Sequence, residues 1–488
     1  MADPASPGSG GATGLKKDSL LLRHAVTLSV AAMAPAAAVF FNTIPQAGLA
    51  GAAIPLTYVV SFVIALLVAN QVSLMAAELP SSGSFYTYVA QGLGSRWGFM
   101  AGWMTLVSYA FIPAATFVIL GVTLHDLVLR WTGANISWVA WFIIGTGLVF
   151  GLTYQGIRQS LRVDLTFVLF EVGVCLALAV TVLVHFGSKG QLTAAPFSIG
   201  SVPKGGDFFL GTVLAILSFL GFEGSAVLGE EARNPRRTIP KAVFLSVVVI
   251  GVFYVLISYI ATIGYGVHNM AKFATDAAPF DTIGRALWGS KLTVLIDIAG
   301  VVSLYGVAIA FANATIRIVY AMGRDGLFPR WVSQMHPTRQ TPGNAVLALG
   351  VLTLVLGIGL GLLMAPITAF GFFGIVETVA YLVIYALISV ACIRFFWKQR
   401  RSSFSMLRHG IIPAVGTVFI GVVLYGSVIP PGPFPFDLAP YLVGAWIVIG
   451  FGVLLYLTRR RPEEVRRAGA LFVAGEVEPV VEAVEYTR

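Results

Sequence analysis

The chain has 488 residues, of which 57% are hydrophobic and 11% charged, and it carries a formal net charge of +9. Soluble domains are typically about 25% charged, so this composition, with a mean hydropathy of +0.86, excludes a soluble globular protein and reads as an all-α integral membrane protein. The positive balance calls for no nucleic acid, because lysines and arginines at span ends are retained on the cytoplasmic side and account for it as topology.

Residues 1–22 are polar and lack the charged-then-apolar pattern of a cleaved signal, so they read as a disordered cytoplasmic leader, with the first span acting as the insertion signal. Residues 23–458 read as a single membrane-spanning domain. Within it, apolar stretches of the roughly 20 residues a bilayer requires fall at 24–45, 53–75, 98–129, 137–154, 163–186, 208–229, 242–266, 292–320, 344–364, 367–396, 410–429 and 438–457, which makes twelve transmembrane helices. Residues 459–488 read as a cytoplasmic tail whose arginines favour anionic lipid. With both termini inside the cell membrane, only Arg130, Lys189, Lys204, Lys272, Arg285 and Lys291 of the 31 lysines and arginines fall outside.

The first span is interrupted. In Met33-Ala-Pro-Ala-Ala-Ala-Val-Phe40, Pro35 removes a backbone donor and strains the residue before it, and Ala36, Ala37 and Ala38 are read as the break. The sixth span carries a matching interruption over Leu220, Gly221, Phe222, Glu223 and Gly224. Irregular backbone at membrane depth is tolerated only where protein or a cavity covers it, and two interrupted spans in corresponding halves of a chain point to a transporter's central site. A half-helix that starts at a break presents N–H groups suited to a carboxylate; one that ends there presents carbonyls suited to an ammonium. Paired breaks therefore make a seat for an amino acid zwitterion without a charged side chain.

Three carboxylates lie inside spans. Each costs about 2.5–3.5 kcal/mol at the bilayer centre on insertion scales, so a functional role is the starting reading. Glu223 beside the second break is the first choice for proton coupling or gating, with the alternative that it accepts backbone N–H groups freed there. Glu171 in the fifth span is second choice for coupling, with the alternative that it is a hydrogen-bonded packing group. Glu377 in the tenth has no second signal. Cys175 and Cys392 lie within spans and read as packing residues. The 6 histidines show no metal-ligand spacing, and neither metal nor cofactor is expected.

Between the spans runs a series of loops: Glu78-Leu-Pro-Ser-Ser-Gly-Ser-Phe-Tyr-Thr-Tyr88 and Gly98-Phe-Met-Ala-Gly-Trp103, then Gly156-Ile-Arg-Gln-Ser-Leu-Arg162, then Glu230-Glu-Ala-Arg-Asn-Pro-Arg-Arg-Thr-Ile-Pro-Lys241, then Met322-Gly-Arg-Asp-Gly-Leu-Phe-Pro329 with Thr341-Pro-Gly-Asn344. In this order and spacing the set resembles the amino acid/polyamine/organocation permeases, from the first span to the tenth. The resemblance implies an inverted five-helix repeat with broken helices 1 and 6, plus two peripheral helices. It also implies that Leu217, Ser218 and Phe222 on the sixth span and Phe311 on the eighth line the substrate pocket. The chain departs from the family in having Ala36-Ala37-Ala38 where a Gly-Ser-Gly turn is usual, and Gly83-Ser84 where two glycines are common.

No Walker A run and no nucleophile with a base is present, so neither an ATP-driven pump nor an enzyme is expected. The reading is a secondary transporter importing an amino acid by proton symport with alternating access; a polyamine or amine permease, an exchanger, a channel and a transporter-like sensor remain as alternatives.

Overall fold

A computed structural model describes residues 21–79, 84–155, 161–228, 234–324, 326–336, 339 and 341–467. The leader up to residue 20, the tail beyond 467, and parts of the loop motifs, including Glu230, Glu231 and Arg233, lie outside the described residues.

Among the described residues all regular structure is helical. In chain order the helices are α1 (Leu22–Ala32), α2 (Pro35–Ala50), α3 (Ile54–Glu78), α4 (Ser84–Leu93), α5 (Ser95–Thr132), α6 (Trp138–Tyr154), α7 (Leu161–Gly187), α8 (Phe208–Leu217), α9 (Pro235–Tyr265), α10 (Met270–Phe273), α11 (Pro279–Arg324), α12 (Gly343–Met364), α13 (Pro366–Gln399), α14 (Ile412–Gly426), α15 (Leu438–Arg460) and α16 (Pro462–Arg467). A 3-10 segment, Phe222–Leu228, follows α8 after a turn, and α11 bends at Gly289, whose φ is +75°.

Among the described residues, ten helical stretches are long and apolar enough to cross a membrane. The sequence reading counts twelve because it divides the continuous stretch Leu22–Glu78 into two spans and includes α6, which at 17 residues reaches only about 25 Å of a hydrocarbon core roughly 30 Å thick.

Helix α5 occupies the centre and packs along α13, α11, α4 and α6. In its most apolar 18-residue stretch 83% of the residues are buried, against 22% in α15, which separates a helix enclosed by protein from one that faces outward. The outward residues are large and apolar, among them Ile144, Val355, Leu363 and Val448. Since lipid tails are as apolar as these side chains, burial of oil against oil does not hold the bundle together; close packing and interhelical hydrogen bonds do. The seam of α15 on α5 illustrates this. Trp103 and Trp446 stack with ring centroids 4.5 Å apart, and each indole N–H donates to the other's backbone carbonyl, at 3.0 Å and 3.1 Å.

Around this centre, α2 packs on α8 and α11, while α1 packs on α9, α7 and the 3-10 segment. The two halves of the first interrupted helix therefore lean mainly on different partners, and the break between them lies beside the break after α8.

Candidate functional site

Helix α1 stops at Ala32. Pro35 bars the residue before it from helical geometry, and Ala34 takes the left-handed conformation, φ +46° and ψ +70°. Pro35 then opens α2 at the first helical position, where a missing N–H is harmless. The break thus falls at Met33 and Ala34, slightly upstream of the expected Ala36 to Ala38, which form the first turn of α2 instead. Their N–H groups are committed within the protein. Ala36 N–H donates to Glu171 Oε2 at 3.1 Å, Ala37 N–H donates to Ser303 Oγ at 3.0 Å, and Ala38 N–H closes the helix onto the Ala34 carbonyl at 2.9 Å. On the other side of the break, the Met33 carbonyl accepts the Tyr254 hydroxyl at 2.6 Å.

The second break follows Leu217. Ser218 to Gly221 turn out of the helix, Gly221 adopts φ +108°, and the chain resumes as a 3-10 helix. Glu223 Oε2 accepts the freed Gly221 N–H at 3.2 Å. Its other oxygen accepts the Tyr109 hydroxyl at 3.0 Å and the Tyr381 hydroxyl. The carboxylate is therefore an acceptor for break backbone, and it also joins the sixth span to α5 and α13.

Two polar links tie the breaks together. Ser29 of α1 donates to the Phe222 carbonyl at 2.8 Å and accepts the Ser225 N–H at 3.0 Å. Ser218 Oγ accepts from Asn42 Nδ2 of α2 at 2.9 Å and lies 2.9 Å from the Tyr58 hydroxyl of α3.

The remaining candidates divide. Leu220 and Phe222 are buried at the turn, the Phe222 ring lying 5.8 Å from that of Tyr385. Leu217 is half-buried at the end of α8. Phe311 meets the edge of Tyr109 with centroids 5.0 Å apart, which brings it within one side chain of Glu223. Glu377 is buried and makes no hydrogen bond to either break, its Oε2 having no partner among the described residues. Ser29, Asn42, Tyr58, Tyr109, Tyr254, Ser303 and Tyr381 are polar groups of this site that sequence reasoning does not select. The only signal is a hydroxyl or amide inside an apolar span, and many such residues serve as ordinary helix packing groups.

A charged cluster lies at the far end of α5. Arg130 donates to Asp281 Oδ2 and to Asp297 Oδ1 at 3.0 Å, and Arg285 Nε donates to Asp281 Oδ2 at 2.8 Å. With Asp126 and Asp276, these residues line a cavity of about 300 Å³, apart from Asp297.

An all-helical membrane protein in which two interrupted helices meet around buried carboxylates has the build of a solute transporter. Residues 24–465 match the amino acid permease family, and the chain belongs to it; members of this family are transporters and not enzymes. The chain is 27% identical over 335 residues to the branched-chain amino acid permease BcaP of Bacillus subtilis, covering 65% of this chain and 70% of that protein. It is 26% identical over 421 residues to the low-affinity putrescine importer PlaP of Escherichia coli, covering 83% of this chain and 88% of that one. Among solved structures, a manganese transporter from Eremococcus coleocola superposes with a TM-score of 0.56 at 12% identity, over 95% of this chain and 100% of that chain, a likeness of fold.

Proposed function

We propose that this chain is a secondary active transporter that imports a small solute carrying an amino group, an amino acid or an amine, across the cell membrane by alternating access, with a proton moving alongside. The observation that carries this reading is the pairing of the two breaks: Ser29 spans from α1 to the 3-10 segment, and Ser218 spans from the end of α8 to α2. Substrate sits between them, against Ala36 to Ala38, the turn from Leu217 to Phe222, and Phe311.

In this reading the chain crosses the membrane twelve times with both termini cytoplasmic. The first ten spans form two inverted repeats, α14 and α15 lie at the periphery, and residues 459–488 are a tail. Opening toward one side parts α1 from α9 and the 3-10 segment, releasing the Tyr254 hydroxyl from Met33. Opening toward the other parts α2 from α11, where Phe40 and Phe280 rings stand 4.4 Å apart. Glu223, bonded across three elements, is the group whose protonation is tied to that exchange, with Glu171 as second choice.

The relatives support the solute class, since one carries a name for branched-chain amino acid transport and the other for putrescine import. The test is uptake into proteoliposomes. Saturable flux with counterflow is expected; flux linear in substrate overturns the carrier reading in favour of a channel, and binding without flux overturns it in favour of a sensor.

A further inference from the structure

We infer that the substrate is a primary amine or diamine without a carboxylate, because the chain fills the carboxylate seat of its first break with its own Glu171. This rests on the transporter reading above and narrows its substrate class.

The start of α2 is where a zwitterion's carboxylate would bind, on the N–H groups that no helix carbonyl satisfies. Pro35 has no N–H. Ala36 N–H is held by Glu171, Ala37 N–H by Ser303, and Ala38 N–H by the Ala34 carbonyl. Glu171 reaches this position from α7 and is 3% exposed, so the acceptor is built in and shielded from water. An arriving carboxylate would have to displace it or lie beside it with these donors spent, and two like charges sharing a dry site oppose each other's ionisation.

The charge balance points the same way. Glu171 and Glu223 stand at the two breaks, and every partner found for either is a hydroxyl or a backbone N–H. Neither has a lysine or arginine partner among the described residues. A buried carboxylate is costly without a compensating charge, and an ammonium supplies that charge where a zwitterion adds a further anion. The hydroxyls of Tyr58 and Ser218 between the breaks offer the ammonium further acceptors.

The experiment compares each amine with the amino acid from which it differs only by the carboxylate: putrescine with ornithine, cadaverine with lysine, and 3-methylbutylamine with leucine. Binding is read by thermal shift on the purified full chain, and flux separately in proteoliposomes. In the unmodified protein the best amine is expected to bind about tenfold or more tightly than its parent amino acid. In Glu171→Ala, which vacates the seat, that ratio is expected to fall by a similar factor. Tighter binding by the parent amino acid in the unmodified protein overturns the inference whether or not the variant folds, as does a folded Glu171→Ala with an unchanged ratio. Flux of amino acids in preference to amines removes this inference and leaves the transporter reading standing; amine-selective binding without flux does the reverse; binding by neither class overturns both.

Discussion

Gly221 and Ala32 are in backbone contact across the two breaks. A Cβ placed on Gly221 would lie 2.8 Å from both the carbonyl carbon and oxygen of Ala32 and 2.9 Å from its Cβ, and the φ of +108° at Gly221 is one that residues with a side chain rarely adopt. On sequence grounds the glycine would let substrate approach the backbone. In the structure, the space a side chain would need belongs to the end of α1.

Gly221→Val is therefore expected to abolish uptake by pushing α1 away from the sixth span. The left-handed φ alone costs about 1–3 kcal/mol for a residue with a Cβ, and the clash adds to it. Lowered thermal stability together with lost uptake, at preserved membrane insertion, is the expected pattern. Normal uptake by a well-folded Gly221→Val protein would remove the contact from the transport cycle.

Glu223→Gln keeps shape and removes titration. It is expected to lose accumulation driven by an imposed pH gradient while retaining exchange of labelled for unlabelled substrate, because exchange needs the site and the rocking motion but no net proton movement. The same two assays on Glu171→Gln separate the two carboxylates. If both variants still concentrate substrate in response to pH, both groups are structural.

The Tyr381 hydroxyl is expected to matter to stability mainly through Glu223. Hydrogen bonds to a charged group contribute about 1.5–3 kcal/mol, so Tyr381→Phe, which keeps the ring packed on Tyr385 and Phe85, should lower the melting temperature. A double-mutant cycle with Glu223→Gln checks the pairing: additive losses would mean that the two groups do not act together.

Arg130 bonds Asp281 and Asp297 at once. Arg130→Met strands the buried Asp297 and leaves Asp281 with Arg285 alone, and breaking such a buried pair by removing one partner costs about 3–5 kcal/mol. Adding Asp281→Asn and Asp297→Asn should restore much of the loss. Failure of that rescue in thermal melts would show that Arg130 acts through packing.

Asp207 caps α8, its Oδ1 accepting the Leu210 N–H at 2.9 Å. Burial pushes its carboxyl pKa above the ordinary 3.8, opposed by the N–H groups of Leu210 and Phe209. An acid whose folded pKa is raised is favoured by folding only while protonated, so its contribution fades as pH rises from the unfolded value through the folded one. At neutral pH, Asp207→Asn should thus melt at or above the unmodified protein, whereas Asp207→Ala loses the cap, worth about 1 kcal/mol. A marked loss in Asp207→Asn would mean that the negative charge itself stabilises the helix start.

Membrane class, approximate spans and the two interrupted helices were legible in the sequence, because each is a local property. Apolar length answers to bilayer thickness, and a proline or glycine acts on its own stretch of backbone. Pro35 marked the first break to within two residues, and Gly221 marked the second. The loop series carried the family because its spacing against the spans is linear along the chain.

What meets what was decided by the tertiary structure alone. Nothing in the order of residues tells that Glu171, 135 positions from Ala36, turns onto that N–H group, or that Tyr109 and Tyr381 converge on one carboxylate. The alanines that read as an open seat for a substrate's carboxylate are occupied by the chain itself. A freed backbone N–H in a dry interior must find an acceptor, and which of several buried hydroxyls and carboxylates reaches it depends on how the helices cross.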